Sequence, residues 1–410
     1  MTAPQNGAAQ ATAHSKPGLW SFEFFALCAI SVLAFSNLAI FYSFYGYLTE
    51  IGIPAQWRGP LMALEPFTAF LVRPFLGRFL TLNNGVRFMF VGLVLATTSL
   101  LLYPFTTSVL ALALVRVLHG AGFVVVVGGL MGVLTAYLSH EKSAQGFGLF
   151  SITILLPHAI VPPFVEILLP HLPGHGAVYA VAAPLMLPAM LLLIPLKRKT
   201  RALAASMPAA HLERPSWGEA LSGLRDPAVV LLCCANMCLV GAHSLVFYFM
   251  RDFALGLAAA NPGLFFTCAN AATITVRLVF GRTFNTIDQG AALAKGFFGM
   301  ALLLPLFPLA WAPWALLSMA PLYGTGMALT MPLINATMLK VSPPRLRAFN
   351  ANLLMVAVDA GFFAGPLMGG ALVAGGWTHA GLFTLGGGLM ALAGFCTLPV
   401  ARRVRAQSNN

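Results

Sequence analysis

Charged side chains are scarce in this chain, and acidic ones are the scarcest. Of its 410 residues only 8% are charged, with 11 Asp and Glu against 23 Lys and Arg, whereas 59% are hydrophobic. Soluble globular proteins contain roughly 25% charged residues. A surface with so little charge faces lipid, so the composition excludes a soluble domain and predicts a membrane protein.

Other features that the sequence lacks exclude further kinds of site and protein. The six cysteines lie in apolar runs, and their spacing matches neither a zinc site nor a disulfide framework, so we expect no metal. No glycine-rich phosphate loop is present, which excludes ATP as the direct energy source. Residues 1–19 lack the apolar core of a signal peptide, and we expect them to form a disordered cytoplasmic tail.

Long apolar stretches make up most of the remaining chain. A helix needs about 20 apolar residues to cross a bilayer, and the sequence offers twelve such stretches, near residues 20–45, 59–80, 87–105, 109–138, 147–170, 177–196, 227–250, 262–282, 291–312, 314–339, 348–374 and 380–401. The predicted fold class is an all-α polytopic membrane protein of twelve helices in two pseudo-equivalent six-helix bundles. The predicted parts are a tail (1–19), the first bundle (20–196), a cytoplasmic linker (197–226), the second bundle (227–401) and a C-terminal cytoplasmic tail (402–410).

Positive charge is distributed unevenly between the loops. All but five of the 23 Lys and Arg lie in or beside alternate loops, and the exceptions are Arg58, Arg73, Arg116, Arg251 and Arg277. Because cytoplasmic loops are enriched in Lys and Arg, this pattern predicts an inner-membrane protein with both termini in the cytoplasm and with Arg58 and Arg251 outside. It also explains the net charge of +12 as a topology signal, so nucleic-acid binding is not expected.

One short sequence occurs twice. The segment VRPFLGRF at 72–79 returns as VRLVFGRTF at 276–284, 204 residues later. Each copy ends an apolar stretch and precedes a short polar turn. Many carriers build two sides around one central site from internal repeats, so the repeated segment predicts two equivalent halves and a transport function.

The repeated turn, the twelve spans and the central basic loop together resemble the major facilitator superfamily, over about residues 20–400. In that family the loop after span two carries a Gly-x-x-x-Asp-Arg-x-Gly-Arg motif. Gly77 and Arg78 match its start, but Thr81 stands where the family has aspartate, and the second copy has Asp288 at a different spacing. The resemblance implies an interdomain gate, with candidate residues Arg73, Gly77, Arg78, Arg277, Gly281, Arg282 and Asp359.

Two further motifs carry the resemblance. Residues 116–122, RVLHGAG, are similar to an Arg-x-x-x-Gly-x-Gly motif that the family associates with proton coupling. Residues 361–370, GFFAGPLMGG, match a signature that family exporters carry in span five, not in span eleven. Small residues let helices approach closely, which implies helix packing at Gly120, Gly122, Gly361, Gly365, Pro366 and Gly369. The segment 145–163, with Arg116 and the Arg73-Pro74 pair, is similar to the subgroup that contains opine-metallophore exporters.

Ionisable residues inside spans are costly, so each is a functional candidate. Arg116 lies at a depth similar to that of Glu65, and we expect it to pair with Glu65 or with Glu166. Protonation of the carboxylate would then release the arginine, which describes a proton-coupled switch. The competing interpretation places Glu65 and Glu166 near the outer surface, where they only solvate helix ends.

Asp359 lies deep in span eleven. Spans two and eleven meet across the two halves in the family fold, so the resemblance implies a latch between Arg73 and Asp359. The alternative is that Arg73 extends to the cytoplasmic surface and that Asp359 titrates alone in the cavity. Arg277 has no acidic partner in span five, and we expect it to bind backbone carbonyls.

Three histidines lie within spans. Each can transfer a proton near neutral pH or contact an anionic substrate, or it can hydrogen-bond a neighbouring helix. We group His119 with the coupling residues and His158 and His243 with the substrate-binding candidates, which also include Asn37, Asn270 and Asn335. The aromatic run 41–47 is expected to belong partly to an interfacial belt, with one or two rings facing the cavity.

The sequence therefore predicts a secondary carrier that works by alternating access, with proton-coupled efflux of a small organic solute as the leading interpretation. Arg116, His119 and His158 make the expected cavity basic, which favours an anionic or zwitterionic solute. Uptake of an organic anion by the same fold is the alternative, and a polytopic enzyme or a sensor is a remoter one. No catalytic constellation occurs at helical spacing, so we expect no enzyme activity. A proton gradient takes the place of a cofactor, and the expected partners of a monomeric chain are the bilayer and the solute.

Overall fold

The computed structural model describes residues 21–138, 143–206, 225–281, 287–343 and 346–408. This part of the chain folds into helices joined by short turns, without a β-strand. Twelve helical units, α1–α12, follow one another along the chain. The predicted all-α class is confirmed.

The first six units begin close to the predicted spans. They are α1 (Phe22–Ala39, continued by Ile40–Ser43 and Phe44–Glu50), α2 (Ala55–Phe79), α3 (Leu82–Leu102, continued by Tyr103–Phe105), α4 (Val109–Tyr137), α5 (Ser143–Leu168, continued by Leu169–His171) and α6 (His175–Ala182, Ala183–Leu185 and Met186–Ser206). The helix of α6 thus continues past residue 196, where the sixth span was predicted to end.

The other six units follow residue 226. They are α7 (Pro227–Gly256), α8 (Leu264–Phe280), α9 (Gln289–Leu303, continued by Leu304–Leu309), α10 (Pro313–Val341), α11 (Arg347–Ala374) and α12 (His379–Ser408). Side-chain caps fix several starts, because Ser, Thr, Asp and Asn accept the unpaired N–H groups of a first turn. Ser108 caps α4 in this way, and Asp226 caps α7.

Most of the described helices suit a membrane. Nine are long and apolar enough to cross one, and α8 is a shorter apolar helix of 17 residues. Large apolar side chains point away from the protein, since Phe105, Leu110 and Leu302 are 83%, 73% and 74% exposed. Lipid is the environment in which such a surface is stable.

The two sets of six helices pack in the same pattern. In the first set α1 contacts α4, α5 and α6, α2 contacts α4, and α3 contacts α4 and α6. Each contact recurs six helices later: α7 contacts α10, α11 and α12, α8 contacts α10, and α9 contacts α10 and α12. The two pseudo-equivalent bundles that the repeated segment predicted are therefore present.

The halves meet along two helix pairs and at α1 with α7. The pairs are α2 with α11 and α8 with α5, which are equivalent under the same six-helix shift. Gly59 of α2 lies against the backbone of Gly370, and Gly263, just before α8, lies against the backbone of Pro163. Gly59 and Gly263 are 204 residues apart, so the offset of the repeated segment also relates the two interfaces.

Ion pairs show which helix ends share a face of the molecule. Lys199 near the end of α6 contacts Glu23 at the start of α1 at 2.7 Å, and Arg403 near the end of α12 contacts Asp226 before α7 at 2.6 Å. We name this side the terminal face. The other side, which carries the turn between α1 and α2, is the opposite face.

Candidate functional site

Arg73 and Asp359 form an ion pair between α2 and α11. Nε and Nη2 of Arg73 both donate to the carboxylate, the second over 3.0 Å, and the side chains are only 13% and 9% exposed. The predicted contact between these residues is present, and Arg73 does not extend to the surface. Separating α2 from α11 would leave two buried charges without partners, which is costly.

A second buried pair, Arg116 with Glu65, lies within the first half. Nε and Nη2 of Arg116 donate to the carbonyl oxygens of Leu61 and Met62, each at 3.1 Å, and Nη2 lies 3.5 Å from the Glu65 carboxylate. The guanidinium is 4.5 Å from the centre of the Phe44 ring. Of the two predicted partners of Arg116, the structure has Glu65, which is 4% exposed and not a surface residue.

Two tyrosines extend this pair. The hydroxyl of Tyr103 accepts a hydrogen bond from Nη1 of Arg116 at 3.4 Å and lies 3.2 Å from Nδ1 of His119. His119 is itself buried against neighbouring helices. Tyr248 of α7 lies within electrostatic range of Arg116, so the charge of this first-half pair extends its influence to the second half.

A third buried pair was not predicted. Glu166 near the end of α5 accepts hydrogen bonds from Nε and Nη2 of Arg251 in α7, at 2.6 and 3.2 Å, and another from the hydroxyl of Tyr42 in α1. Both charged side chains are 8% exposed. The alternative pairing of Arg116 with Glu166 is therefore wrong, because Arg251 already neutralises Glu166.

The position of Arg251 is also a correction. The apolar run in the sequence ends at residue 250, which placed Arg251 in an outer loop. The helix α7 continues to Gly256 instead and buries Arg251 between the two halves. The signal available in the sequence was the absence of a helix-ending Gly or Pro directly after residue 250.

Another contact lies beside the Glu166–Arg251 pair at the opposite face. Glu50 at the end of α1 contacts Nδ1 of His175 at the start of α6. A Cβ at Gly46 would touch the side chains of both His175 and Arg251, so the two contacts are adjacent. Ionisable groups from α1, α5, α6 and α7 therefore meet at the opposite face.

His158 and His243 lie beside one ring, although they belong to different halves. Their rings lie 5.8 and 6.4 Å from the ring of Phe247. Nδ1 of His158 bonds a carbonyl oxygen of its own helix at 3.0 Å, and Nδ1 of His243 bonds the Tyr323 hydroxyl at 2.6 Å. Between residues 238 and 251 of α7, His243 alone is not fully buried. Accessible space therefore reaches the middle of α7 at His243.

The three predicted amides differ in their surroundings. Asn37 is 2% exposed, and its Oδ1 has no hydrogen-bond partner among the described residues. Asn270 and Asn335 each donate to a carbonyl one turn earlier in their own helix, at 2.9 and 2.8 Å. Asn335 is exposed, and Asn270 is half-buried. Of the three, Asn37 is the one whose oxygen is both buried and unpaired.

The polar turn after each repeated segment ends in a helix cap. The backbone N–H of Thr81 donates to Oδ1 of Asn84 in the first turn of α3, at 2.7 Å. Asp288 occupies the equivalent place before α9, where it accepts the N–H of Ala291 at 3.0 Å and Nε–H of Arg405 at 2.9 Å. These donors, the Ala291 N–H first, hold the pKa of the Asp288 carboxyl below its usual range. The spacing of Asp288 is thus set by the start of α9.

The remaining gate candidates lie near the same turns. Gly77 and Arg78 are in the last turn of α2, Gly281 follows the end of α8, and Arg282 lies outside the described residues. Their role in a gate stays a prediction. Arg277 has a buried Nε with no hydrogen-bond partner in the described part of the chain, so the expected bond to a backbone carbonyl is absent at this atom.

Small residues of the two motifs lie at close helix contacts; they are Gly120, Gly122, Gly361, Gly365 and Gly369, with the Pro366 carbonyl beside Gly59. Gly120 meets α2 at the backbone of Glu65. Gly324 of α10 meets α8 at the backbone of Ala269. Both residues of the second contact are 204 positions after those of the first.

The aromatic run in α1 is not an interfacial belt. Phe41, Tyr42, Phe44 and Tyr47 are at most 1% exposed, and Phe41 stacks on Tyr179 with ring centroids 4.6 Å apart. The prediction of a belt is wrong for these four rings, because Phe41 and Phe44 lie over the Arg116 guanidinium and the Tyr42 hydroxyl donates to Glu166. The described residues contain no group of three His, Cys, Asp or Glu side chains that could hold a metal ion.

Comparisons with known proteins agree with this architecture. The chain matches the model of the Major Facilitator Superfamily over residues 19–358. A crystal structure of the peptide transporter POT with sulfate has a TM-score of 0.71 at 15% identity, covering 95% of this chain and 96% of that one, and a mutant of POT with alafosfalin gives the same values. The nucleoside transporter NupG has a TM-score of 0.67 at 13% identity, covering 95% and 99%. No curated protein matches the chain in sequence. Because the family model spans most of its length, the chain belongs to the Major Facilitator Superfamily and is a multi-pass membrane transporter of that type.

Proposed function

We propose that this transporter works by alternating access and couples proton movement to the efflux of a small organic solute that is anionic or zwitterionic. The observation that carries the proposal is a pair of buried ion contacts across the two halves. Arg73 with Asp359 joins α2 to α11, and Glu166 with Arg251 joins α5 to α7. Both acids are able to bind a proton, and both contacts lie where the halves must move apart.

The two contacts lie toward different faces of the membrane. Glu166 and Arg251 lie near the ends of α5 and α7 at the opposite face, whereas Arg73 lies near the end of α2 at the terminal face. Alternating access opens one face while it closes the other. Opening at the opposite face must therefore break the Glu166–Arg251 contact, and opening at the terminal face acts on Arg73 and Asp359.

Protonation lowers the barrier to that separation. Breaking a buried pair so that one charge is left uncompensated costs about 3–5 kcal/mol. A proton from water at the opposite face binds the Glu166 carboxylate and makes it a neutral acid. Arg251 keeps its charge and is hydrated by the same water. Loss of this proton after the faces exchange allows the pair to form again.

The first-half pair is proposed to take part in coupling. In the second half, Asp359 lies within electrostatic range of Glu65, and Tyr248 lies within electrostatic range of Arg116. A change in the charge of Asp359 therefore alters the field at Glu65 and Arg116. We assign Arg116, Glu65, Asp359 and Glu166 to proton coupling, with His119 as a buried neighbour that holds Tyr103.

The solute is proposed to bind at the middle of the membrane. His158 and His243 flank Phe247 where accessible space reaches α7, and Asn37 offers an unpaired oxygen. Structurally similar transporters act on peptides and nucleosides, and the opine-metallophore subgroup supplies a third candidate class. Uptake of an organic anion stays the alternative direction, because these contacts do not set direction.

The distribution of Lys and Arg supports a location and an orientation for this carrier. We propose an inner-membrane location with the terminal face in the cytoplasm, because the Lys and Arg gather on that side. A proton gradient supplies the driving force without a cofactor. A monomer with two bundles, 20–196 and 227–401, joined by the linker 197–226, is the proposed working unit.

Metabolite profiling tests the direction of transport. Cells with and without the gene are compared for intracellular solutes, including dipeptides, nucleosides and carboxylated metallophores. Efflux predicts accumulation of the substrate inside cells that lack the gene. Depletion inside those cells contradicts efflux and supports uptake.

Proteoliposomes test the coupling once a solute is known. Glu166→Gln mimics the protonated acid, so we expect gradient-driven accumulation to fall at least tenfold while solute exchange without a gradient continues. Asp226→Asn, at a surface contact with Arg403, is the matched control and should behave as the unmodified chain does. Unchanged gradient-driven accumulation by Glu166→Gln contradicts the assigned role.

A further inference from the structure

We infer that Arg277 is an anion-binding site toward the terminal face, where an acidic group (a carboxylate, phosphate or sulfonate) binds in the position that Asp359 occupies opposite Arg73. Only the identification of this anion with the transported solute, on its way between the terminal face and the middle of the membrane, rests on the proposed function. The binding itself is a separate property of the second half, and it is tested without transport.

The first step is that Arg277 and Arg73 occupy equivalent places. They are 204 residues apart, and so are Gly59 and Gly263, where the two helix pairs make their closest backbone contacts. Each arginine therefore follows its contact glycine by fourteen residues along an equivalent helix. Arg277 lies in the α8–α5 interface at the depth at which Arg73 lies in the α2–α11 interface.

The helices that face the two arginines, α11 and α5, can be aligned through the contacts of these glycines. Gly59 lies against Gly370 and the Pro366 carbonyl of α11. On the other side, Gly263 lies against Pro163, and the Thr267 hydroxyl donates to the Ala159 carbonyl at 2.6 Å. Because Gly59 and Gly263 are equivalent, Gly370 is equivalent to Pro163, an offset of 207, and the same offset places Ala159 at the position of Pro366.

This register identifies the residue that replaces Asp359. Asp359 lies seven positions before Pro366, and Ile152 lies seven positions before Ala159. Residues seven apart lie on the same face of a helix. The position that supplies the counter-charge of Arg73 is therefore apolar in α5. The one acid in α5 is Glu166, which is bound to Arg251 at the opposite face.

The consequence is a cation at a helix interface with no counter-charge among the residues that the structure describes. Nε of Arg277 is buried and has no partner in the described ranges, yet the side chain as a whole is only partly buried, so water and small ions reach it. A guanidinium binds planar oxyanions through two parallel N–H donors, and the cost of a buried unpaired charge is offset when an anion arrives. The asymmetry between the two interfaces thus creates a place for an acidic ligand.

A purely structural role for Arg277 makes a different prediction. A cation in the last turn of a helix is stabilised by the helix dipole, and lysine serves that purpose as well as arginine does. Two-point binding of an oxyanion needs the guanidinium. The conservative variant Arg277→Lys therefore separates the two roles.

The test measures anion binding to the purified full chain in detergent. Thermal unfolding is followed while sodium succinate, phosphate or sulfate replaces sodium chloride at constant ionic strength. We expect a saturable rise in Tm with at least one of these anions, an apparent Kd at least tenfold weaker in Arg277→Gln, and a similar weakening in Arg277→Lys. Arg198→Gln, at an exposed arginine of α6, is the control and should keep the full response.

A second variant supplies the missing acid. Ile152→Asp places a carboxylate where α5 lacks the equivalent of Asp359, and we expect it to abolish the anion response by occupying Arg277. If Ile152→Asp does not fold, Arg277→Gln decides alone. An unchanged response in Arg277→Gln, or no saturable response of the unmodified chain to any of the three anions, overturns the inference. Either result leaves the transport assays unaffected.

Discussion

The two halves share their packing but not their charges. The contact of Gly120 with Glu65 in the first half becomes the contact of Gly324 with Ala269 in the second, both shifted by 204 residues. The same shift places Ala320 at the position of Arg116. The frame is therefore repeated through small residues at helix contacts, while the buried pair of Arg116 and Glu65 belongs to one half. The close helix contacts are therefore the same in both halves, whereas the buried charges differ between them.

The largest effect is expected from removing the charge that distinguishes the first half. Arg116→Ala leaves Glu65 buried without its partner, so we expect a loss of about 3–5 kcal/mol in the free energy of unfolding. Thermal unfolding of the purified protein measures the change. The double variant Arg116→Leu with Glu65→Leu removes both charges, and it should recover most of the stability. A single variant as stable as the double variant would show that the pair is not a buried charge contact.

A smaller effect, equal in the two halves, is expected when a side chain is added at the repeated glycine contacts. A methyl group at Gly120 or at Gly324 meets the backbone of the neighbouring helix, and such overpacking costs about 1–3 kcal/mol. We expect Gly120→Ala and Gly324→Ala to lower the Tm by similar amounts. Gly388, where an added Cβ meets nothing within 4 Å, provides the control variant Gly388→Ala. A large effect in one half only would break the comparison.

The smallest effect concerns the helix caps. Asn84→Ala and Asp288→Ala each remove the side chain that makes the cap, which costs about 1 kcal/mol. Only the second effect depends on pH. The pKa of Asp288 lies below its ordinary value of 3.8 because the Ala291 N–H and Arg405 favour the carboxylate. Its contribution to stability is therefore complete at neutral pH and is lost as the pH falls through the lowered pKa.

Unfolding between pH 7 and pH 3 checks this difference between the caps. The effect of Asp288→Ala should shrink at the acidic end, whereas the effect of Asn84→Ala should stay constant. A constant effect of Asp288→Ala across this range contradicts the assigned capping by the charged carboxylate.

The sequence was sufficient for the features that depend on local pattern. Apolar length gave all twelve helices, because backbone groups in lipid must bond within the helix. The contact of Arg73 with Asp359 was also predictable, since the family resemblance brings spans two and eleven together and few charges lie within spans. Gly120 and Gly365 lie at close helix contacts, as small residues in spans suggest.

The contacts missed are those that depend on how the halves meet. Arg251 lies one residue beyond an apolar run, so composition placed it in a loop, and only the longer helix buries it. Tyr42 belongs to an aromatic run whose sequence fits an interfacial belt equally well. Only the position of α5 in the folded protein shows that Tyr42 is covered. A partner such as Glu166, 85 residues from Arg251, is selected by tertiary packing and not by spacing.

In the proposed mechanism the Glu166–Arg251 contact holds the opposite face closed, and protonation of Glu166 releases it. Spin labels at Thr49→Cys and Ala260→Cys, exposed positions at that face in different halves, report its opening in a background without the native cysteines. Pulsed electron paramagnetic resonance in lipid nanodiscs measures the distance between the labels. Glu166→Gln at pH 7.5 should shift the distribution to longer distances, with Asp226→Asn as the unshifted control. Identical distributions in Glu166→Gln and the control would contradict the account.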